Sequence, residues 1–318
     1  MKRKDFIKLA STGTIGFSSL GYLSFTKPKD LFFKLSLAQW SLHRNIKYGN
    51  MNPYLFAEFA SDYNFSGIEY VTTLYKEVME VRDADMSRAI TFWARKNKVL
   101  AEKHNIKSVL IMIDEIEGLA EENERNRMKA IENHKIWIDA ASIMNCESVR
   151  LNLYGSRDIE KWKNLSMKSL SVLGEYAKRR NINVIVENHG RITSNIPELM
   201  KVINGVNMNN VGTLPDFGNF CMADEGYGSV FNGSCEVAYD FYKGVEEMMP
   251  KAFSVSAKSN DFNANGEETT IDYYKMLKIV KSFNYNGYIG VEYEGNRLTE
   301  IDGINATRDL LIKVGQSI

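Results

Sequence analysis

The chain has 318 residues, 44% of them hydrophobic and 25% charged, an ordinary globular composition that accommodates one large α/β barrel or two smaller domains. Lys plus Arg and Asp plus Glu balance at 40 each, so the whole-chain charge gives no footprint of a nucleic-acid or membrane-surface partner. The balance conceals an asymmetry: residues 1–30 hold Lys2, Arg3, Lys4, Lys8, Lys27 and Lys29 against only Asp5 and Asp30. Without them the body is mildly acidic, which suits a small-molecule enzyme better than a nucleic-acid binder.

Residues 1–30 read as a targeting segment, a basic start followed by a Ser/Gly/Thr-rich apolar stretch to about Phe25. Arg3-Lys4-Asp5-Phe6-Ile7-Lys8 resembles a twin-arginine export signal in which lysine replaces one arginine. A periplasmic or exported location is therefore expected; the alternative is a basic amphipathic start to a cytosolic helix. The apolar stretch is too short and too polar for a stable transmembrane span, and with no A-x-A-like cleavage site an uncleaved anchor stays open. Three cysteines, Cys146, Cys221 and Cys235, match no metal spacing and read as small buried apolar residues, with a Cys221–Cys235 bridge in an oxidising compartment as the other reading.

From residue 31 to 318 the chain alternates short β-like runs with longer helix-like ones, and no Pro/Gly/Ser-rich linker divides it. The runs begin near Leu35, Gly67, Ile106, Ser148, Asn183, Val211, Phe253 and Tyr288. Between them, apolar residues recur at helical intervals, as in Met128-Ile131-Ile136-Ile138-Ala141-Ile143 and Tyr274-Leu277-Ile279-Val280. Eight βα units predict α/β architecture: a single (β/α)8 TIM barrel domain over 31–318, preceded by the export-signal-like segment. Gly218 to Ser234, the longest irregular stretch, follows the sixth strand and is expected to cover a substrate rather than form an idle insertion.

Several runs finish in an ionisable residue. Glu187 ends Val184-Ile185-Val186, Asp216 follows Val211-Gly212-Thr213-Leu214-Pro215, Lys258 ends Phe253 to Ala257, and Glu292 ends Tyr288-Ile289-Gly290-Val291. In a parallel barrel the last strand residues open on the catalytic mouth, so four consecutive strands would deliver these groups to one side of it. Gathering like charges is costly without a cation or a substrate to satisfy them. Parity places Glu187 with His189, Ser256 with Lys258 and Asn260, and Glu292 with Glu294. Two carboxylates so placed, Glu187 and Glu292, can remove a proton beside a carbonyl and return it, given an electrophile that stabilises the enediolate. Lys258 joins them as a catalytic candidate.

Trp40 is a candidate for stacking on a sugar ring, or for apolar packing at the rim. His43 is a candidate for a substrate contact or for a hydrogen bond at a helix start. Glu69 ends the second run much as Glu187 ends the fifth, and is expected to reach a substrate hydroxyl. Arg150 and Asn152 put polar groups into the interior of the fourth, and His189 reaches the mouth after the fifth. His104 and His134 lie in helix-like segments and read as structural.

The segments Leu37-Ala38-Gln39-Trp40-Ser41-Leu42-His43, Val186-Glu187-Asn188-His189-Gly190, Leu214-Pro215-Asp216-Phe217-Gly218-Asn219, Val255-Ser256-Ala257-Lys258 and Gly287 to Gly295 resemble the xylose-isomerase-like, sugar phosphate isomerase/epimerase barrel superfamily, from about Leu35 to the C-terminus. The resemblance implies a divalent-metal site formed by Glu187, Asp216, a histidine after strand seven, and Glu292. Here the sequence departs, because Ser256 stands where that histidine is implied. Three oxygen ligands with waters would still suit Mn2+ or Mg2+, or Zn2+ if His189 supplied nitrogen; in the competing account the Lys258 ammonium takes the cation's place. The resemblance implies a sugar isomerase or epimerase acting on a small sugar or sugar derivative, with homodimerisation left open. A keto-glycoside lyase or hydrolase sharing the first step, and a non-catalytic carbohydrate-binding barrel, are the alternatives. An abasic-site endonuclease, which shares the fold, would need several zinc-ligating histidines and a basic face, and four histidines on an acidic body argue against it.

Overall fold

Each apolar run becomes a parallel strand, and each helical period returns the chain to the start of the next one. The computed structural model describes residues 30–81, 85–114, 116, 118–223 and 235–318. The expected export segment up to residue 29 and the part of the sixth-strand loop at 224–234 lie outside the described residues. Leu31–Ile318 forms one compact unit. Its strands are β1 Lys34–Ala38, β2 Gly67–Val71, β3 Lys107–Met112, β4 Ser148–Leu151, β5 Asn183–Glu187, β6 Val211–Leu214, β7 Val255–Ser259 and β8 Tyr288–Tyr293. Helices α1 His43–Lys47, α2 Phe56–Asp62, α3 Lys76–Met79, α4 Met86–Lys103, α5 Glu124–Ile143, α6 Ile159–Lys178, α7 Ile196–Val206, α8 Phe241–Met248, α9 Tyr273–Ser282 and α10 Glu300–Ser317 connect them.

The eight strands pair in parallel in the order β6-β5-β4-β3-β2-β1-β8-β7. The ring closes between β6 and β7 through the bridges Thr213↔Ala252 and Asp216↔Ser256, where the Ser256 N–H donates to Pro215 O at 2.9 Å and the Phe217 N–H to Ser256 O at 3.1 Å. This closed β/α ring is the expected (β/α)8 barrel.

Local sequence signals set the turns. Helices α5, α6, α8, α9 and α10 start at Asn123, Asp158, Asp240, Asp272 and Thr299, whose side chains accept from amide N–H groups of the first turn that lack helical partners. Helix exits follow one pattern: Asn64, Asn105, Asn145, Asn181, Asn207 and Asn284 all take a left-handed backbone just before a strand. The residue after the asparagine then bonds back into the last helical turn, as Phe65 N–H to Ala60 O, Ile106 to Ala101, Cys146 to Ala141 and Ile182 to Ala177. Asparagine tolerates this conformation better than other side chains with a β-carbon.

Outward-facing strand residues pack on the helices. Tyr70, Tyr75, Trp93 and Trp137 form an edge-to-face aromatic cluster with centroids 5.2–5.8 Å apart, and Ser259 bonds Thr307 of α10 at 2.5 Å. The inward-facing residues are unusually polar for a barrel core: Ser36, Glu69, Arg150, Glu187, Ser256, Lys258 and Glu292 are all buried. Gly290 leaves the space that Glu69 fills, since a β-carbon there would stand 2.5 Å from Glu69 Oε1. We expect Gly290→Ala to lower stability by about 1–3 kcal/mol through overpacking, measured by urea denaturation; an unchanged midpoint would show that the interior has slack at this level.

Candidate active site

Strand β7 brings Lys258 to the C-terminal mouth with its side chain 2% exposed. Its Nζ stands 3.0 Å from Glu292 Oε1, 3.2 Å from Glu294 Oε1 and 4.0 Å from Asp216 Oδ2, and donates to Asn219 Oδ1 at 3.2 Å. The predicted groups from β7, β8 and the end of β6 therefore meet, on a lysine. Burial alone would lower the ammonium pKa, but Asp216, Glu294, Glu292 and Glu187 outweigh it and hold it well above the ordinary lysine range.

Glu187, the last residue of β5, faces a second cation. Its Oε2 lies 2.8 Å from Arg150 Nε and its Oε1 accepts from Asn219 Nδ2 at 3.0 Å. Arg150 also donates to Asp114 Oδ1 at 2.5 Å, and Asn152 Nδ2 donates to the same oxygen at 2.8 Å. Asn219 thus joins the two halves of the site, accepting from Lys258 and donating to Glu187.

The carboxyls differ in environment. Burial pushes Glu292 up to about 8, with Lys258 opposing and Glu187, Glu294 and Asp216 reinforcing. Burial likewise raises Glu187 against Arg150 and Lys258, and raises Asp216 to about 6 against Lys258. For Glu294 and Asp114 burial is outweighed, by Lys258 and by Arg150 respectively, and both are held below the usual carboxylate range. One mouth therefore holds carboxyls with opposed proton affinities, the pattern expected of acid/base sites.

The residues present do not fit the expected divalent ion, Mn2+, Mg2+ or Zn2+, on Glu187, Asp216 and Glu292. Asp216 Oδ1 already accepts the N–H groups of Gly218 (2.9 Å) and Asn219 (2.8 Å), and Oδ2 accepts the Ser256 hydroxyl at 2.6 Å. Glu187 is turned to Arg150 and Asn219, and Glu292 to the ammonium. Among the described residues, no group of three or more His, Cys, Asp or Glu side chains is arranged to hold a metal. Asp216 instead ties the 216–219 turn to β7, which positions Asn219.

The remaining candidates fall at different heights. Glu69 is a correction: it lies in mid-strand, fully buried below the mouth, bonded by Ser36 Oγ at 2.6 Å rather than set to meet a substrate hydroxyl. His189 is half-buried beside the mouth with Tyr154 Oη 3.0 Å from its Nδ1, and desolvation, aided by Arg150, lowers its pKa to about 4, so it is neutral. Trp40 and His43 stack with centroids 4.6 Å apart, His43 Nδ1 lying 2.6 Å from Trp40 O and 3.6 Å from Glu300, while Lys47 Nζ sits over the indole at 4.3 Å. The two rings therefore pack on each other at the start of α1. His134 bonds Ala130 O inside α5 and His104 ends α4, both structural as expected. Cys221 and Cys235 form a disulfide, against the reading of all three cysteines as buried apolar residues; Cys146 alone is free and buried.

Sequence reasoning missed Asp114, Asn219 and Tyr154. Asp114 follows the third run as Asp216 follows the sixth, and shares parity with Leu110 and Met112, so the same signal would have found it. Asn219 was legible only as part of a motif.

Burial raises the Glu69 carboxyl from 4.5 to about 7, with Ser36 opposing. The folded protein then holds a proton there that the unfolded chain has lost, so stability falls as pH rises from about 4.5 through 7 and is level above. Glu69→Gln keeps the Ser36 acceptor and removes this dependence. Its stability relative to wild type should gain on the order of 3 kcal/mol between pH 4.5 and 8; a difference that does not change with pH would contradict the assignment.

The model of the xylose isomerase-like TIM barrel family matches residues 57–314. No curated protein matches the chain. Among solved structures it is similar to an IolI protein with a bound zinc atom (TM-score 0.65, 15% identity, covering 90% of this chain and 99% of that one). It is also similar to the apo form of the 3-keto-D-glucoside 4-epimerase YcjR from E. coli (0.65, 10%, 88% and 99%). A third is a sugar phosphate isomerase/epimerase from Parabacteroides distasonis (0.64, 15%, 92% and 96%). At these identities the structures establish a shared fold, and with the family model covering most of the barrel this chain belongs to the xylose isomerase-like TIM barrel family.

Proposed function

We propose that this protein is a sugar isomerase or epimerase that moves a proton at a carbon beside a carbonyl. The observation that carries this reading is the pair Glu187 and Glu292 in one mouth, each held by its own cation, Arg150 at 2.8 Å and Lys258 at 3.0 Å. Glu187, paired with the Arg150 guanidinium at 2.8 Å, acts as base. Glu292, pushed up to about 8, begins protonated and returns the proton. As the carbon loses its proton, negative charge moves onto the former carbonyl oxygen, and the adjacent cations stabilise it in a site little exposed to water. Family membership and the likeness to a keto-glucoside epimerase support a keto-sugar as the substrate class.

A keto-glycoside lyase would share the first step and then expel an aglycone, so the products decide between them. On a panel of 3-keto-glycosides in D2O, we expect solvent deuterium in the product with mass otherwise conserved; release of aglycone would assign a lyase instead. Glu187→Gln and Glu292→Gln should each lower the exchange rate by about 10²–10⁴-fold, and unchanged exchange in both would remove the acid/base assignment. Lys258, Glu294, Asp216 and Glu187 all face Glu292, and its loss of the acid proton predicts that kcat/KM falls as pH rises through about 8.

We also infer an exported location. The Cys221–Cys235 bridge supports it, because disulfides persist in oxidising compartments. Among the described residues no helix is long and apolar enough to cross a membrane. Fusing residues 1–30 to a reporter and locating it by fractionation tests the inference; a reporter retained in the cytoplasm would contradict it.

A further inference from the structure

We propose that Lys258 is this barrel's resident cation, and that the protein works without the divalent metal that its family resemblance implies. The reaction class proposed above bears only on how the charge is used; the substitution itself rests on geometry. The Lys258 ammonium stands within 4.0 Å of Asp216, Glu292 and Glu294, in the space between carboxylates that the resemblance assigns to a metal. It donates hydrogen bonds to Asn219 and Glu294, each at 3.2 Å, and forms an ion pair with Glu292 at 3.0 Å.

The exchange is written on one strand. Residues 256 and 258 point to the same face of β7. At 256, where the resemblance implies a nitrogen ligand, a serine hydroxyl instead donates to Asp216. At 258 a lysine delivers the positive charge. The first change removes a metal ligand and the second fills the vacated charge requirement, so neither is complete without the other. Asp216 Oδ1 accepts two backbone amides, Glu187 Oε1 accepts from Asn219, and Glu187 Oε2 is ion-paired with Arg150 Nε at 2.8 Å. A divalent ion entering here would face two cations already in place, Lys258 and Arg150, both buried. Buried carboxylates without a partner are strongly unfavourable, so removing the ammonium should create a demand for another cation.

The test uses the full chain. A ligand that binds only the folded state raises its melting temperature. We expect the wild-type protein, purified from metal-supplemented cells, to contain no stoichiometric Mn, Zn or Mg by elemental analysis, and to melt at the same temperature in EDTA and in Mn2+. The Lys258→Ala/Ser256→His double variant should melt higher in Mn2+ than in EDTA, and Lys258→Arg, which keeps the charge, should stay indifferent. One tightly held ion per wild-type chain, or a wild-type melting temperature lowered by EDTA and restored by Mn2+, would overturn the proposal. So would a folded double variant with no response to Mn2+; should that variant not fold, the wild-type series decides alone. A metal-binding protein that still epimerises keto-sugars would sink this inference and leave the reaction class standing, whereas a metal-indifferent protein with no action on them would do the reverse.

Discussion

The structure depends on a charge balance inside a closed ring. Carboxyls from the third, fifth, sixth and eighth strands or their following turns converge on one mouth, and two buried cations, Arg150 and Lys258, are what allow them to coexist. Either cation alone would be costly to bury, as would the acids without them. Arg150 bridges Asp114 to Glu187, Lys258 bridges Glu292 and Glu294 to Asp216, and Asn219 couples the two sets.

The fold supplies this arrangement through one seam. Strands β6 and β7 close the barrel by isolated bridges rather than by a long ladder, and Asp216 sits on that seam, opposite Ser256. The carboxylate is therefore architectural as much as electrostatic: it accepts the two amides of the 218–219 turn and the Ser256 hydroxyl, and so sets where Asn219 points. The turn continues through buried Phe220 to buried Cys221, which is bonded to Cys235. Chemistry and closure share residues here, and a substitution at 216 should disturb both.

Most of the architecture was legible because period-two and helical patterns survive in a parallel barrel whose strands are buried on both faces. The expected starts at Gly67, Ser148, Asn183, Val211 and Tyr288 coincide with the observed strands. The run beginning at Phe253 starts two residues before β7, because apolar residues in a turn that packs on the core look like strand. Strand-end position brings Lys258 and Glu292 within 3.0 Å of each other, but parity carries no information on height along the barrel axis. Glu69 accordingly points inward as read, yet lies a level too deep, against Gly290. Whether a carboxylate cluster holds a metal or an ammonium is also not a property of spacing; it follows from which side chain reaches the common point, and only the packed structure shows Lys258 there. The Cys221–Cys235 pairing was legible as an alternative, but three cysteines alone do not choose between a bridge and buried thiols.

The central claim is that the Lys258 ammonium is charged and held by its carboxylate neighbours. Carbon-13 labelling of the lysine Cε, with the Lys258 signal assigned by its loss in Lys258→Arg, reads the protonation state directly. The account predicts that this signal keeps its ammonium shift as pH passes through about 10.4, where ordinary lysines titrate. A Lys258 signal that moves to the neutral amine shift at or below that pH would contradict it.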